Sequence, residues 1–295
     1  MKRVLTVLAA ILIGWGNACA GEKAPLPRVE ELMHKSGLWR QIEQIEPLLQ
    51  ANLVQEMGKA GKEEESELWP LRMAMAKAYA ADSLRDEVKN QLSLSLGQRD
   101  VESVLAWLST DLGQRLTALE EKSGEVSEYS QRQENAEDVM RSLPPQRIQL
   151  IKRFTKAIRI GEASASMAIN TTVGITHGAS LVSPHMKASE VKEIKRMLGE
   201  HKAKLTQMYE EQSVMQFAAI YQSVSDQDLK KYIAFAESPA GRRYHAATIK
   251  AMDIALTKAA TEMGKQIGTP AKSTGIGGGA LRLGTSVLAG KEALT

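Results

Sequence analysis

Helical periodicity is the feature that most constrains what this chain can fold into. Helix-favouring residues are abundant, aromatic residues make up only 4% of the chain, and no stretch alternates apolar and polar side chains between turn signals. Long helix-compatible segments, such as 145–182 and 186–223, lie between breaks rich in Gly, Ser and Pro. The breaks fall at Gly37, Gly61, Gly97, Gly124, Pro144-Pro145, Ser183-Pro184, Ser225 and Ser238-Pro239. We therefore expect an all-α fold, a helical bundle.

Two stretches, residues 100–115 and 228–243, align with each other without a gap. Asp, Ala, Gly and Arg recur at the same positions, and the apolar residues before the break keep the spacing of one helical face. An aromatic residue, Trp107 or Phe235, lies one turn before the break, where it can wedge two helices apart. The alignment predicts a bundle built from two degenerate copies of one helix-corner-helix unit.

Each break has the residues that favour a sharp corner between two helices. Thr110 and Ser238 can cap the second helix of the unit by accepting hydrogen bonds from its free amides. Pro239 suits the first helical position, where its missing N–H costs nothing. Gly113 and Gly241 follow, and the absence of a side chain there permits close approach of the two backbones.

Arginines follow both glycines: Arg115 in the first copy, Arg242 and Arg243 in the second. We favour a structural role, in which they donate to the unpaired carbonyls where the first helix ends or pair with Glu237 or Asp228. The recurrence of Arg115 supports this interpretation, because nothing else typical of a site recurs with it. The alternative is that the arginines bind an anionic partner at the corner.

The second copy, from about Phe217 through Leu256, resembles the bacterial domain-of-unknown-function family numbered 2059. Members are exported helical proteins whose typical segment reads as an acidic-Leu pair, then Phe-Tyr-x-Ser-Pro-x-Gly, then a basic residue or glutamine. The matching residues here are Asp228-Leu229, Phe235 and Ser238-Pro239-Ala240-Gly241-Arg242. Ala236 stands where the family usually has tyrosine, and Asp111 stands where the first copy would need proline. The resemblance implies a periplasmic α-helical fold and, since the family has no assigned activity, no catalytic residues.

The N-terminus has the pattern of a secretory signal peptide over residues 1–20. Lys2 and Arg3 precede an apolar run, and Ala18-Cys19-Ala20 offers the small residues of a cleavage site. Cleavage would lower the formal net charge from +3 to +1, because two cations and no acids are lost, and would remove the single cysteine. We expect a periplasmic protein; the alternative is a lipoprotein anchored through Cys19.

The mature chain divides into three predicted regions. The first helical repeat covers 21–125, and the second, with the clearer family motif, covers 126–267. Residues 268–295 include the run Thr274 to Gly279 and are predicted to form a flexible Gly-rich tail. This run lacks the Lys-Ser/Thr and the helix that follow a phosphate-binding loop, so we predict no nucleotide site there.

No residue pattern in the chain predicts catalysis, a cofactor or a metal site. The histidines have neither the i, i+4 spacing of a helical metal site nor a familiar zinc pattern. The histidines considered are His177, His185, His201 and His245; the fifth histidine of the chain is His34. The serines lack the strand-turn-helix elbow that would activate one as a nucleophile.

Two further segments have distinctive charge. Residues 141–159 hold six cations and no acids, which suits either a core-packing helix with a solvated basic face, the interpretation we favour, or a helix that binds anionic surfaces. Residues 163–186 carry no charged side chain and are rich in Ala, Ser, Thr and Gly. We expect this second segment to form a central buried helix or a subunit contact.

These features favour a non-catalytic, periplasmic binding or scaffolding protein of the cell envelope. The first alternative is a carrier that holds an apolar or lipid-like ligand in a cleft between the repeats. The second is a hydrolase with a site that the sequence does not reveal. Expected partners are an envelope protein or a small apolar ligand, with a homo-oligomer possible; nucleic acid is excluded by the near-neutral charge of an exported chain.

Overall fold

A computed structural model describes residues 23–59, 65–183 and 187–269 of the protein. The fold of these residues is all-α, as predicted, and apart from one isolated bridge between Lys23 and Gly97 they form no β-structure. The helices are α1 Leu26–Lys35, α2 Leu38–Glu43, α3 Ile45–Lys59, α4 Glu65–Ala78, α5 Ala81–Ser95, α6 Gln98–Leu108, α7 Asp111–Ser123, α8 Val126–Ser142, α9 Pro145–Ala157, α10 Ile160–Ser180, α11 Ala188–Glu200, α12 Lys202–Ile220, α13 Asp226–Ala236 and α14 Pro239–Gly268. The described residues do not include the predicted signal peptide, which contains Cys19. They also do not include His185 or the part of the predicted tail beyond residue 269.

Helices α10 and α14 form the centre of the fold and run parallel to each other. A Cβ atom on Gly178 of α10 would lie 2.0 Å from the carbonyl oxygen of Thr261, and one on Gly264 of α14 would lie 2.1 Å from that of Ile175. The two backbones are therefore in direct contact, which only glycine permits at these positions. Most residues of α10 are buried, so the prediction of a central buried helix in the uncharged segment is confirmed.

The other side of α14 packs against α4, α5 and α6. Lys258 of α14 donates a hydrogen bond to Glu87 of α5 over 2.8 Å, and the pairing lowers the pKa of Glu87. The main hydrophobic core extends from Ala24 to Ile267 and includes residues of both predicted repeats. The last described helix thus packs against helices from both of the predicted repeats.

The long helix-compatible segments 145–182 and 186–223 are each broken in the structure. The segment 145–182 is interrupted at Arg159, which adopts a left-handed conformation with φ of 50° and separates α9 from α10. The segment 186–223 is interrupted at His201, between α11 and α12. At the first break Gly161 lies against α12, where a Cβ atom would come within 2.8 Å of the Thr206 carbonyl oxygen. Contacts between helices determine where the chain bends here. The sequence did not predict the two breaks, because neither Arg159 nor His201 is a residue type that favours a break in a helix.

The basic segment 141–159 forms the end of α8 and all of α9. Ile151 and Phe154 are buried in the core, while Lys152 and Lys156 are exposed. The buried Arg147 donates to the carbonyl oxygen of Tyr221 over 2.6 Å and to a carboxylate oxygen of Asp226 over 2.5 Å. The favoured interpretation, a core-packing helix with a solvated basic face, agrees with this arrangement.

Candidate functional site

The two predicted corners, α6–α7 and α13–α14, have the same local geometry. The first helices, Gln98–Leu108 and Asp226–Ala236, differ by 128 positions at both ends. Thr110 Oγ1 accepts from the backbone N–H of Gly113 over 3.0 Å, and Ser238 Oγ accepts from that of Gly241 over 3.0 Å. Both hydroxyls therefore satisfy one of the amides that a helix start leaves without a partner.

The glycines of the corners lie against the ends of the preceding helices. A Cβ atom on Gly113 would lie 2.4 Å from the carbonyl oxygen of Trp107, and one on Gly241 would lie 2.0 Å from that of Phe235. Pro239 occupies the first turn of α14, where no N–H is needed. The corners are therefore sharp because backbone touches backbone there.

A polar side chain closes each corner from the same position. Arg242 donates to the carbonyl oxygen of Glu237, the last residue before the second corner. In the first corner, Gln114 donates through Nε2 to the carbonyl oxygen of Ser109 over 3.1 Å. Both side chains thus contact a carbonyl group at the end of the preceding helix, the role considered above for the corner arginines.

The two remaining arginines form ion pairs that cross from one corner to the other. Arg243 of α14 binds Asp100 of α6 through two hydrogen bonds of 2.5 and 2.8 Å. Arg115 of α7 donates to Asp228 of α13 over 3.1 Å. Since Asp100 and Asp228 are equivalent positions, as are Arg115 and Arg243, the contacts are reciprocal. From the sequence, the arginines were expected to pair with acidic residues of their own corner. The observed partners of Arg243 and Arg115 lie in the other corner.

The aromatic residues of the corners stack on each other at the same contact. The rings of Trp107 and Phe235 have centroids 4.8 Å apart and planes inclined by 8°. Tyr232 lies beside both, at 6.2 Å from Trp107 and 6.5 Å from Phe235. The aromatic residues, which were expected to wedge each corner separately, therefore also join the two corners.

A small cavity of about 40 Å³ lies beneath this aromatic pair. Trp107, Phe235 and Tyr232 form part of its lining, and the polar groups there include Glu120 of α7 and His245 of α14. A volume of about 40 Å³ corresponds to roughly three water-sized positions. The cavity combines aromatic rings with ionisable groups in the interior, so it is the candidate functional site of the described residues.

Glu120 is the acidic group of this cavity. One of its carboxylate oxygens accepts hydrogen bonds from the hydroxyl groups of Tyr221, over 2.6 Å, and Tyr232, over 2.8 Å. Burial raises the pKa of Glu120, the two tyrosine hydrogen bonds act against this shift, and the negative charge of Glu121 adds to it. The carboxylate of the half-buried Glu120 is thus held by neutral donors, and its partial removal from water raises its pKa.

His245 is the second ionisable group, and its side chain is 2% exposed. Neither of its ring nitrogens has a hydrogen-bond partner among the described residues. Its ring lies 5.9 Å from that of Phe235 and 5.2 Å from that of Tyr244. Burial lowers the pKa of His245 to about 3, so the imidazole is neutral at physiological pH.

The other histidines considered above do not join this site. His177 is exposed, and His201, between α11 and α12, contacts the carbonyl oxygen of Met197 of α11 over 2.8 Å. Within the described part of the chain, no group of three or more His, Cys, Asp or Glu side chains is arranged to hold a metal ion.

The sequence analysis missed Glu120 and the two tyrosines that donate hydrogen bonds to it. The available signal was the position of Glu120, which lies four residues after the buried Leu116 and therefore on the inward face of α7. Acidic residues on a buried face normally need polar partners. Tyr221 and Tyr232 supply them from other helices, and the sequence does not reveal that pairing.

Comparisons with known proteins found no relative of this chain. No family model, no curated protein and no solved structure matches the chain. Among the described helices, none combines the length and the apolar character that crossing a lipid bilayer would require.

Proposed function

We propose that this protein is a periplasmic, non-catalytic binding or scaffolding protein of the cell envelope. The observation that carries the proposal is the pair of crossed contacts between the corners. Arg115, Arg242 and Arg243, the strongest candidates for binding an anionic partner, contact Asp228, the Glu237 carbonyl and Asp100 instead. These three arginines therefore stabilise the two corners as a rigid frame. A partner would bind on the outer surface of that frame.

The frame is best explained as an internal duplication. The supporting observations are the matched helix bounds, the matched caps and the reciprocal ion pairs of the two corners. We retain the resemblance of the second copy to the exported family numbered 2059, together with the periplasmic location that it implies, as part of this proposal.

The size of the cavity between the corners argues against the alternative of a lipid carrier. Pockets for drug-sized ligands measure roughly 300–1,000 Å³. The cavity beneath Trp107 and Phe235 measures about 40 Å³, because stacked rings and buried tyrosines occupy the space between the copies. An acyl chain would have to displace the aromatic contact that joins the two corners.

Crosslinking in the envelope tests the proposal. A photoreactive amino acid would replace one exposed apolar residue at a time, namely Trp69 on α4, Leu94 on α5 or Met197 on α11. We expect one discrete crosslinked protein at one of these positions and none at the others, and direct binding of that protein when both are purified. A ligand released on denaturation in native mass spectrometry, with no crosslinked protein, would favour the carrier instead. Turnover on a panel of hydrolase substrates would refute the non-catalytic role.

A further inference from the structure

The cavity beneath Trp107 and Phe235 has an unusual combination of groups for an interior space. It contains one carboxylate, that of Glu120, and a neutral imidazole, that of His245, among several aromatic rings. Water could fill about three positions in it. Both ring nitrogens of His245 lack a partner among the described residues, although its side chain is 2% exposed. Buried polar atoms of this kind normally have a hydrogen-bond partner, which suggests that something occupies the cavity.

The charges around the cavity favour a cation as its occupant. None of the ion pairs within the described residues involves Glu120, whose hydrogen bonds come from the neutral hydroxyl groups of Tyr221 and Tyr232. The neighbouring charge that acts on it is that of Glu121, which has the same sign and would repel an anion. A cation would neutralise the interior carboxylate, and the neutral His245 would not oppose it.

The lining also indicates which cation fits. Aromatic rings attract organic ammonium groups through their π-electrons, and they do not coordinate metal ions as oxygen ligands do. An ammonium N–H can donate to the carboxylate of Glu120 and to the acceptor nitrogen of His245. A quaternary trimethylammonium group, which has no N–H and several methyl groups, is too large for about three water-sized positions.

We propose that this cavity is a binding site for a primary ammonium group, with Glu120 as its counter-ion and Trp107, Tyr232 and Phe235 as the surrounding rings. Trp107 and Phe235 are half-buried, so this wall of the cavity adjoins the protein surface and gives the ammonium group a way in. The group could belong to a small free amine or to the end of a lysine side chain. The inference goes beyond the scaffolding role and does not depend on it.

Titration of the purified protein with methylammonium chloride tests the proposal, with the tryptophan indole N–H resonances as the readout. We expect a saturable shift at Trp107 in the millimolar range, since so few ligand atoms limit affinity. Trp39 and Trp69 serve as internal controls, because neither lines the cavity. Methanol, which is similar in size but neutral, and sodium chloride should leave Trp107 unchanged. An equal shift with either would overturn the proposal and leave a cavity that holds water only.

Three variants test whether the shift of the Trp107 resonance arises from methylammonium bound in this cavity. Glu120→Gln removes the charge and should weaken methylammonium binding at least tenfold, whereas Glu121→Gln, next in sequence but outside the cavity lining, should retain it. Thr117→Met fills the cavity without changing its charge and should also abolish the shift, which keeps the test decisive if Glu120→Gln fails to fold. Unchanged binding in Glu120→Gln or in Thr117→Met would contradict the site.

A last comparison separates the two sources of the ammonium group. Nα-acetyl-lysine methylamide presents the ammonium group of a lysine side chain and carries no other charge. Binding of both probes, with the lysine derivative tighter, would assign the site to a protein side chain. Binding of methylammonium alone would assign it to a free amine, and binding of neither would refute the site.

Discussion

The ring of Trp107 lies flat against that of Phe235, at 4.8 Å between centroids, although the two residues occupy equivalent positions in different corners. The ion pair of Arg243 with Asp100 and that of Arg115 with Asp228 join the same helices. The first helix of each corner therefore contacts the second helix of the other. This reciprocity makes the corners a single structural unit.

Gly241→Ala should destabilise the protein by about 1–3 kcal/mol, because the new methyl group meets the Phe235 carbonyl oxygen at a backbone contact that cannot relax easily. The matched control is Gly199→Ala in α11, where a Cβ atom meets nothing within 4 Å. That change should stabilise by up to about 1 kcal/mol through helix propensity. Urea denaturation measures both. Equal effects of the two substitutions would contradict the close contact at the corner.

The two crossed ion pairs should contribute unequally to stability. Arg243 and Asp100 are 31% and 16% exposed, whereas Arg115 is 65% exposed. Double-mutant cycles with Arg243→Met and Asp100→Asn should give a coupling of about 1 kcal/mol, and the same cycle at Arg115 and Asp228 less than about 0.5 kcal/mol. Absence of coupling at both pairs would show that the crossed contacts do not hold the corners together.

His245 should make the protein acid-sensitive. Its pKa in the folded protein is about 3, below the ordinary value of 6.5, so the unfolded chain binds this proton first as the pH falls. Relative to His245→Phe, the wild type should lose about 1.4 kcal/mol of unfolding free energy per pH unit below 6.5, until the folded-state pKa is reached. The exposed His177 supplies the control variant, His177→Phe. NMR titration of the His245 ring near pH 6.5 would contradict the prediction.

Glu120 should have the opposite pH dependence. Its pKa is raised in the folded state, so the folded protein binds this proton more tightly than the unfolded chain does. Relative to Glu120→Gln, wild-type stability should therefore increase as the pH falls from the raised pKa toward 4.5, and the gain should be complete below that value. Burial is the main cause of the raised pKa of Glu120; the hydrogen bonds from Tyr221 and Tyr232 oppose the shift, and the negative charge of Glu121 adds to it. A difference between the two proteins that is constant with pH would contradict the raised pKa.

The sequence was informative about local features and weak on contacts between distant helices. The all-α class follows from periodicity, and the capping of α7 and α14 follows from Thr110 and Ser238, because these features depend on neighbouring residues. The partner of Arg243 lies 143 positions away, and packing alone determines it. The break at Arg159 was missed for the same reason: a residue with no preference for a left-handed conformation adopts one where α9 and α10 must turn.

The place of α14 in the chain bears on when the protein can fold. The helix is the last of those described, yet α4, α5 and α6 all pack against it. While the chain is being synthesised, those earlier helices lack the surface that covers their apolar faces, so the core cannot close until α14 has emerged. For a chain that must cross a membrane unfolded, as the proposed export requires, this order would keep the core open until α14 has been made.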